Sequence, residues 1–371
     1  MPVKEAMEIL LFDMDGVLLK PRGYHQALKD TVQLVAQALG FGDVVLTDEQ
    51  IAQFESLGIS SEWHSSALCI AALALQSENG AVAPGVGNKP VALDLDALFE
   101  AIARQPLQIP ALQRGMLAIG QLAAQEGVGA EPIQDFIRHS EDIQISQTLH
   151  VFQELILGSA VFESTYRRAS RYQTESYLMR FDQRLISPQM AQKILQWAAE
   201  PLHGAAIMTN RPSLGPTGNM AAPDAGMGAA LVGLQELPLI GYGETSWLAD
   251  RTGRPVASVS KPAYEHALLA ILAAMGWQLE QSMQLAAQSP AVWNISELAQ
   301  LHGSRLTVFE DTPGGVLAVQ AAGELLSQAG LRVEIRKIGI AENVAKQSAL
   351  ASAGALVYPD IERALASLNH F

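Results

Sequence analysis

Asp13 and Asp15 are separated by one residue, follow the apolar run Ile9-Leu10-Leu11-Phe12, and are followed by a glycine. A carboxylate can attack phosphorus as a nucleophile. A second one, two residues on, can protonate the leaving oxygen and then deprotonate the attacking water. Gly16 permits a turn sharp enough for both to face one site. Two further apolar runs end in polar residues: Ala205–Met208 in Thr209-Asn210-Arg211, and Leu306–Phe309 in Glu310-Asp311. Where such runs lie side by side, four carboxylates converge and repel unless a cation sits among them. Hard oxygen ligands favour Mg²⁺, and a Mg²⁺ with open positions attracts a phosphoryl group. Lys261 would add a fixed positive charge beside Asp13 and the phosphate oxygens.

Each signal alone has a simpler reading. An Asp-x-Asp-Gly sequence caps helices and opens calcium loops, but an EF-hand would need ligands where Val17 and Tyr24 stand. A Thr-Asn pair after a strand is a common turn. Lys261-Pro262 reads as a helix start with proline at its first position. Glu310-Asp311 reads as a helix N-cap region. The single readings do not account for all four occurring in this order.

The elements that must hold these residues follow from the pattern around them. Ile9–Phe12 is a continuous apolar run, as in a strand buried on both faces. Further strands are predicted at 205–208, 237–240, 306–309, 332–340 and 355–358, with helices at 262–275, 314–329 and 343–353. Alternating strands and helices make a parallel α/β sheet. Residues 20–200 interrupt it with an Ala-, Leu- and Gln-rich block. Helices are predicted there over 25–40, 48–56, 61–78, 93–105, 111–125 and 143–158, with a Gly/Pro/Asn-rich loop at Asn79–Pro90. Pro212–Gly226 is a second breaker-rich loop. The predicted domains are therefore 1–19 with 201–371, and 20–200.

Composition narrows the function classes. The chain has 371 residues, one cysteine and a net charge of −14. One cysteine excludes a disulfide scaffold and a cysteine-ligated zinc or iron–sulfur site. The acidity argues against broad electrostatic binding to nucleic acid or an anionic membrane. With no 18-residue apolar run and no secretory signal at the start, a cytoplasmic location is expected.

The chain resembles the haloacid dehalogenase (HAD) superfamily of phosphohydrolases. The matching segments are ILLFDMDGVL at 9–18, IMTNRP at 207–212, Ser260-Lys261-Pro262, and VFEDTPGGVLAVQAAG at 308–323. The resemblance implies a Rossmann-like core, strand order 5-4-1-2-3, and a large, mainly helical cap inserted after the first motif. It implies that Asp13 is the nucleophile and that Asp15 is the general acid and base, its backbone carbonyl a Mg²⁺ ligand. Thr209 would hold phosphoryl oxygens and Lys261 would stabilise the transferring group. Asp13 and Asp311 would ligate Mg²⁺, with Glu310 a second ligand or a partner that orients water. Asn210, Arg211 and His25 are candidate substrate contacts. The presence of Asp15 favours phosphoryl chemistry over dehalogenation.

The block at 20–200 is about twice the usual size for such a cap, and the stretch from Lys261 to Asp311 is roughly twice as long as expected. Its excess, about Gly276 to Gly303, reads as a helical insertion on the core. Tyr24-His25 resembles the sugar-phosphate mutase branch, where a histidine helps position the acid/base; a surface or helix-capping histidine is the plainer reading. The Arg/Tyr-rich segment Tyr166–Tyr172 could grip a second anionic group, or be a solvated helix face. Ser60–His64 carries a helix-capping signature, Trp63 reads as a packed aromatic, and Cys69 as core. The expected function is a Mg²⁺-dependent phosphatase acting on a small phosphorylated metabolite. The alternatives are a sugar phosphomutase, or a non-catalytic binding or regulatory protein.

Overall fold

Four consecutive apolar residues, Ile9 to Phe12, are at most 2% exposed, which requires cover on both faces of their strand. The computed structural model, which describes residues 6–59, 61–78, 91–106, 108–216, 222–368 and 371, places them in the middle of a six-stranded sheet. Its strands are β1 (Glu8–Phe12), β2 (His203–Met208), β3 (Leu239–Ile240), β4 (Arg305–Glu310), β5 (Glu334–Ile340) and β6 (Leu356–Tyr358). They are ordered β6-β5-β4-β1-β2-β3, and every pairing is parallel. This is the expected 5-4-1-2-3 order with one more strand at the edge.

Side chains alternate between two cores, as the pleat dictates. Ile9, Leu11, Ala206, Met208, Leu306 and Val308 face helices Tyr264–Ala274 and Pro313–Gln328. Leu10, Phe12, Ala205, Ile207 and Phe309 face helices Pro188–Ala198, Asp224–Val232 and Ile361–Ala366. The 276–303 stretch holds one helix, Leu279–Ala286, and two short 3₁₀ turns.

The chain divides into two compact units, 1–21 with 182–371, and 22–181. The predicted cap end at 200 is corrected. Helix Pro188–Ala198 buries Ala191, Ile194 and Trp197 in the sheet's second core, so 182–200 belong with the sheet. The 22–181 unit is helical, and includes helices Arg22–Ala38, Glu62–Glu78, Ala111–Glu126 and Gln147–Leu157. A two-residue parallel pair, Val44–Val45 with Val91–Ala92, is its described strand structure. Ser60, the predicted loop Asn79–Pro90 and residues 217–221 of the second loop lie outside the described residues. Pro212–Gly226 does not stay loop to its end, because a helix begins at Asp224. No helix among the described residues is long and apolar enough to cross a membrane.

Candidate active site

Parallel register brings the polar strand ends together. Phe12 lies between Ile207 and Phe309, and the Asp13 N–H donates to the Phe309 carbonyl at 3.0 Å. Asp13 therefore emerges between β2 and β4, where the strand order reverses and α/β sheets bind ligands. Thr209 follows β2; Glu310 ends β4 and Asp311 follows it.

Asp13, Glu310 and Asp311 are all buried, and each offers a carboxylate oxygen within 4.8 Å of the other two. Lys261 bridges two of them, with Nζ 2.7 Å from Asp13 Oδ1 and 2.5 Å from Glu310 Oε1. Lys346 pairs with Asp311 from helix Val344–Ser352. Three carboxylates against two ammonium groups leave excess negative charge in a place with little water. Burial is the largest cause pushing Asp13 up to about 6 and Glu310 up to about 8. Asp311 raises both, Asp13 raises Glu310 and Asp15 raises Asp13, while Lys261 opposes both shifts. Asp311 is raised as well, chiefly by burial.

Two glycines make the approach possible. Gly16 has φ +74°, and a Cβ there would stand 2.3 Å from Asp311 Oδ2. A Cβ on Gly315 would stand 1.7 Å from Glu310 Oε1. Oxygen donors crowded in this way, and destabilised as anions, suit a small hard dication better than they suit one another.

Asp15 does not join that cluster with its carboxylate. Arg211 holds it instead, donating from Nε to both carboxylate oxygens (2.9 and 3.0 Å) and from Nη2 to Oδ1 at 2.6 Å. The same Nη2 donates to Asp182 at 2.8 Å. Arg211 is 3% exposed, which makes it a clamp on Asp15 and not the substrate contact expected of it. A Cβ on Gly228 would stand 2.5 Å from the Met14 sulfur and 3.3 Å from Arg211 Nη1, so a glycine leaves room for the clamp.

Thr209 is buried; its Oγ1 accepts from the Arg211 N–H at 3.2 Å and its N–H donates to the Ile240 carbonyl. Asn210 is exposed. His25 belongs to the helical unit, where Nε2 lies 3.2 Å from Glu55 Oε1. In the Arg/Tyr segment Arg167 and Arg171 are exposed, and Tyr166, Arg168 and Tyr172 are half-buried. Arg168 donates to the Ile143 carbonyl, while the backbone N–H groups of Arg171 and Tyr172 cap the buried Glu154. Trp63 is half-buried and Cys69 is buried.

Asp182, Lys346 and His266 are additions that the sequence did not single out. The His266 ring accepts from the Lys261 N–H at 3.3 Å, and its other nitrogen donates to the Ile240 carbonyl at 3.3 Å. Burial, then Lys261, pushes it down to about 3, so it is neutral. It ties the loop carrying Lys261 to the end of β3. A lone histidine in an apolar helix gave no signal of this.

No protein-family profile matches the chain, and no curated protein does. Solved structures do. The X-ray structure of the structural-genomics target ZR25 aligns over 98% of this chain and 100% of its own, with a TM-score of 0.64 and 14% identity. Phosphatase Tt82 from Thermococcus thioreducens aligns over 92% and 99%, with a TM-score of 0.46 and 12% identity. The likeness to the ZR25 structure shows a shared fold.

Proposed function

We propose that the chain is a Mg²⁺-dependent phosphohydrolase of the HAD type that acts on a small phosphomonoester through an aspartyl-phosphate on Asp13. The observation that carries this is Asp13 itself. It is a carboxylate at the sheet's switch point, bonded to a buried lysine, with Glu310 and Asp311 within ligand distance of one another beside it. Asp13, Glu310, Asp311 and the Asp15 carbonyl would hold the metal, which would neutralise charge on the phosphoryl oxygens. An Asp13 oxygen attacks phosphorus as the bond to the ester oxygen breaks, and Asp15 gives that oxygen its proton. Water then attacks phosphorus, Asp15 takes the water's proton, and the bond to Asp13 breaks to release phosphate. Lys261 stays beside Asp13 throughout, offsetting charge on its carboxylate. The helical unit at 22–181 would select the substrate.

Phosphate release from a broad panel of phosphomonoesters, with Mg²⁺ present, tests this reading. Wild-type turnover should fall by more than about 10³-fold in Asp13→Asn, the scale on which losing a covalent nucleophile acts. Undiminished turnover in that variant would overturn the mechanism. Absence of wild-type turnover from folded protein would favour a binding protein.

A further inference from the structure

We propose that Asp182 is a positioning residue for the acid/base chemistry of Asp15, acting through Arg211; this rests on the phosphohydrolase reading above. Asp182 is the first residue of the sheet unit after the helical segment. It is fixed there by the chain on either side of the interruption. Leu19–Lys20 and Gln183–Arg184 form an antiparallel pair, and the Leu185 N–H donates to the Leu18 carbonyl at 2.9 Å. The segment that leaves after Asp15 is thus paired with the segment that begins at Asp182.

Arg211 spans the two carboxylates. Its Nη2 donates to both, at 2.6 Å to Asp15 and 2.8 Å to Asp182, while Nε adds two contacts to Asp15. Charge-assisted bonds from a planar guanidinium hold direction as well as distance. The Asp182 side chain is 0% exposed and that of Arg211 2%, whereas that of Asp15 is 34% exposed. Only one of the three groups can meet a substrate, and the other two lock its rotamer.

Asp15 is the exposed member of the three, so it is the one that a leaving oxygen can reach.

The test compares two leaving groups. An alkyl phosphate, taken as the best one hydrolysed by wild type, needs its leaving oxygen protonated; p-nitrophenyl phosphate scarcely does. The ratio kcat/KM reports steps up to transfer of the phosphoryl group to Asp13, so it isolates the acid step. Asp182→Asn should lower kcat/KM for the alkyl ester by about 10²-fold, at the low end of what general acids contribute, and change it for the nitrophenyl ester by less than about threefold. The loss should vanish in an Asp15→Asn background, since residues acting as one unit are not additive. Arg211→Lys keeps the charge but loses the fork, and should reproduce the same leaving-group selectivity if Asp182→Asn melts too low to assay. Equal losses on both esters, no loss on either, or a loss that persists without Asp15 would overturn the inference while leaving Asp13-dependent hydrolysis standing. Wild-type turnover unaffected by Asp13→Asn would overturn the phosphohydrolase reading, and this inference with it.

Discussion

The strand ends of the sheet unit and the helical unit both bury charge, and they satisfy it in opposite ways. In the helical unit Glu154 is fully buried and accepts from the backbone N–H groups of Arg171 and Tyr172. Arg114, 5% exposed, donates to the Leu57 carbonyl at 2.6 Å. Backbone dipoles cannot leave or change charge, so these groups serve the fold. At the strand ends Asp13, Glu310 and Lys261 are buried against one another. Their partners are charges that a proton, a cation or a phosphoryl group can alter. The buried histidines run the other way. His266 bonds the Lys261 backbone and the end of β3. His150, in the helical unit, packs its ring against Phe162 at 4.8 Å with Glu154 3.8 Å away, and burial pushes it down to about 4.

The largest expected effect that separates the regions, after that of Asp13→Asn, comes from Lys261→Met. It leaves two buried carboxylates without their shared cation, and removing one partner of a buried pair costs about 3–5 kcal/mol. Both the melting temperature and turnover should fall. Adding Glu310→Gln should return part of the stability, because one of the two carboxylates that Lys261 served is gone, without returning turnover. A melting temperature unchanged by Lys261→Met would mean that the strand ends tolerate unpaired charge as a surface does, and the contrast would fail.

Gly16→Ala should come next. The residue must keep φ +74°, which costs an L-residue about 1–2 kcal/mol, and its Cβ would press on the Asp311 carboxylate. Mg²⁺ binding, followed by calorimetry on the intact chain, should weaken more than the melting temperature suggests. Gly127→Ala, at φ +71° in the helical unit with open space around its Cβ, supplies the matched control: the same backbone strain and no loss of metal affinity.

Much of this contrast was legible from residue types. An apolar run that ends in two carboxylates, Ile9 to Asp15, marks the sheet's centre and the edge where the charged side chains meet. Glu310 and Asp311 were legible for the same reason, as charged residues where an apolar run ends, and Lys261 through its place in Ser260-Lys261-Pro262. Asp182 and Lys346 were not, since their partners lie 29 and 35 residues away, and His266 was not, since it sits alone in an apolar helix. Nor was helix Asp224–Val232, whose glycines read as a loop; its small residues fit because Ala225, Ala229 and Val232 pack on the sheet and Gly228 faces Met14 and Arg211. The division at 181/182 was hidden because helix Pro188–Ala198 has the texture of the helices before it. The core that receives its apolar face is decided by tertiary packing alone.

A smaller effect should appear in the pH dependence of the chelator-treated protein. Glu310 is held up to about 8 in the folded chain, against 4.5 for its ordinary value. The folded state therefore binds a proton that the unfolded state has lost, and the stability it contributes is lost as pH rises through 8. The melting temperature should decline as pH rises from about 4.5 to 8, most cleanly between about pH 6.5 and 8 where the buried histidines and Asp13 no longer titrate, with a slope of at most about 1.4 kcal/mol per pH unit for one proton. Glu310→Gln should flatten that decline, and Mg²⁺ should reverse it by taking the proton's place. His150 and His266 are pushed down to about 4 and 3, so they bind protons only on unfolding and cost stability on the acid side, as pH falls below about 6.5. A decline that survives Glu310→Gln would place its cause outside the strand ends.

The smallest effect is the sharpest control. Glu100 and Arg104 form an i,i+4 pair in the helical unit at 2.7 Å, with side chains 69% and 68% exposed. That distance equals the one between Lys261 and Asp13, whose side chains are 5% and 9% exposed. If distance set the energy, double-mutant cycles would return similar couplings for both. Water screens the exposed pair and ordering two long side chains opposes it, so its coupling should be no more than about 0.5 kcal/mol and should shrink with added salt. The buried pair should couple several times more strongly and respond little to salt. Equal couplings from denaturant titration would show that burial is not what distinguishes the strand ends, and that the contrast between the two units rests on which residues are present and not on where the fold puts them.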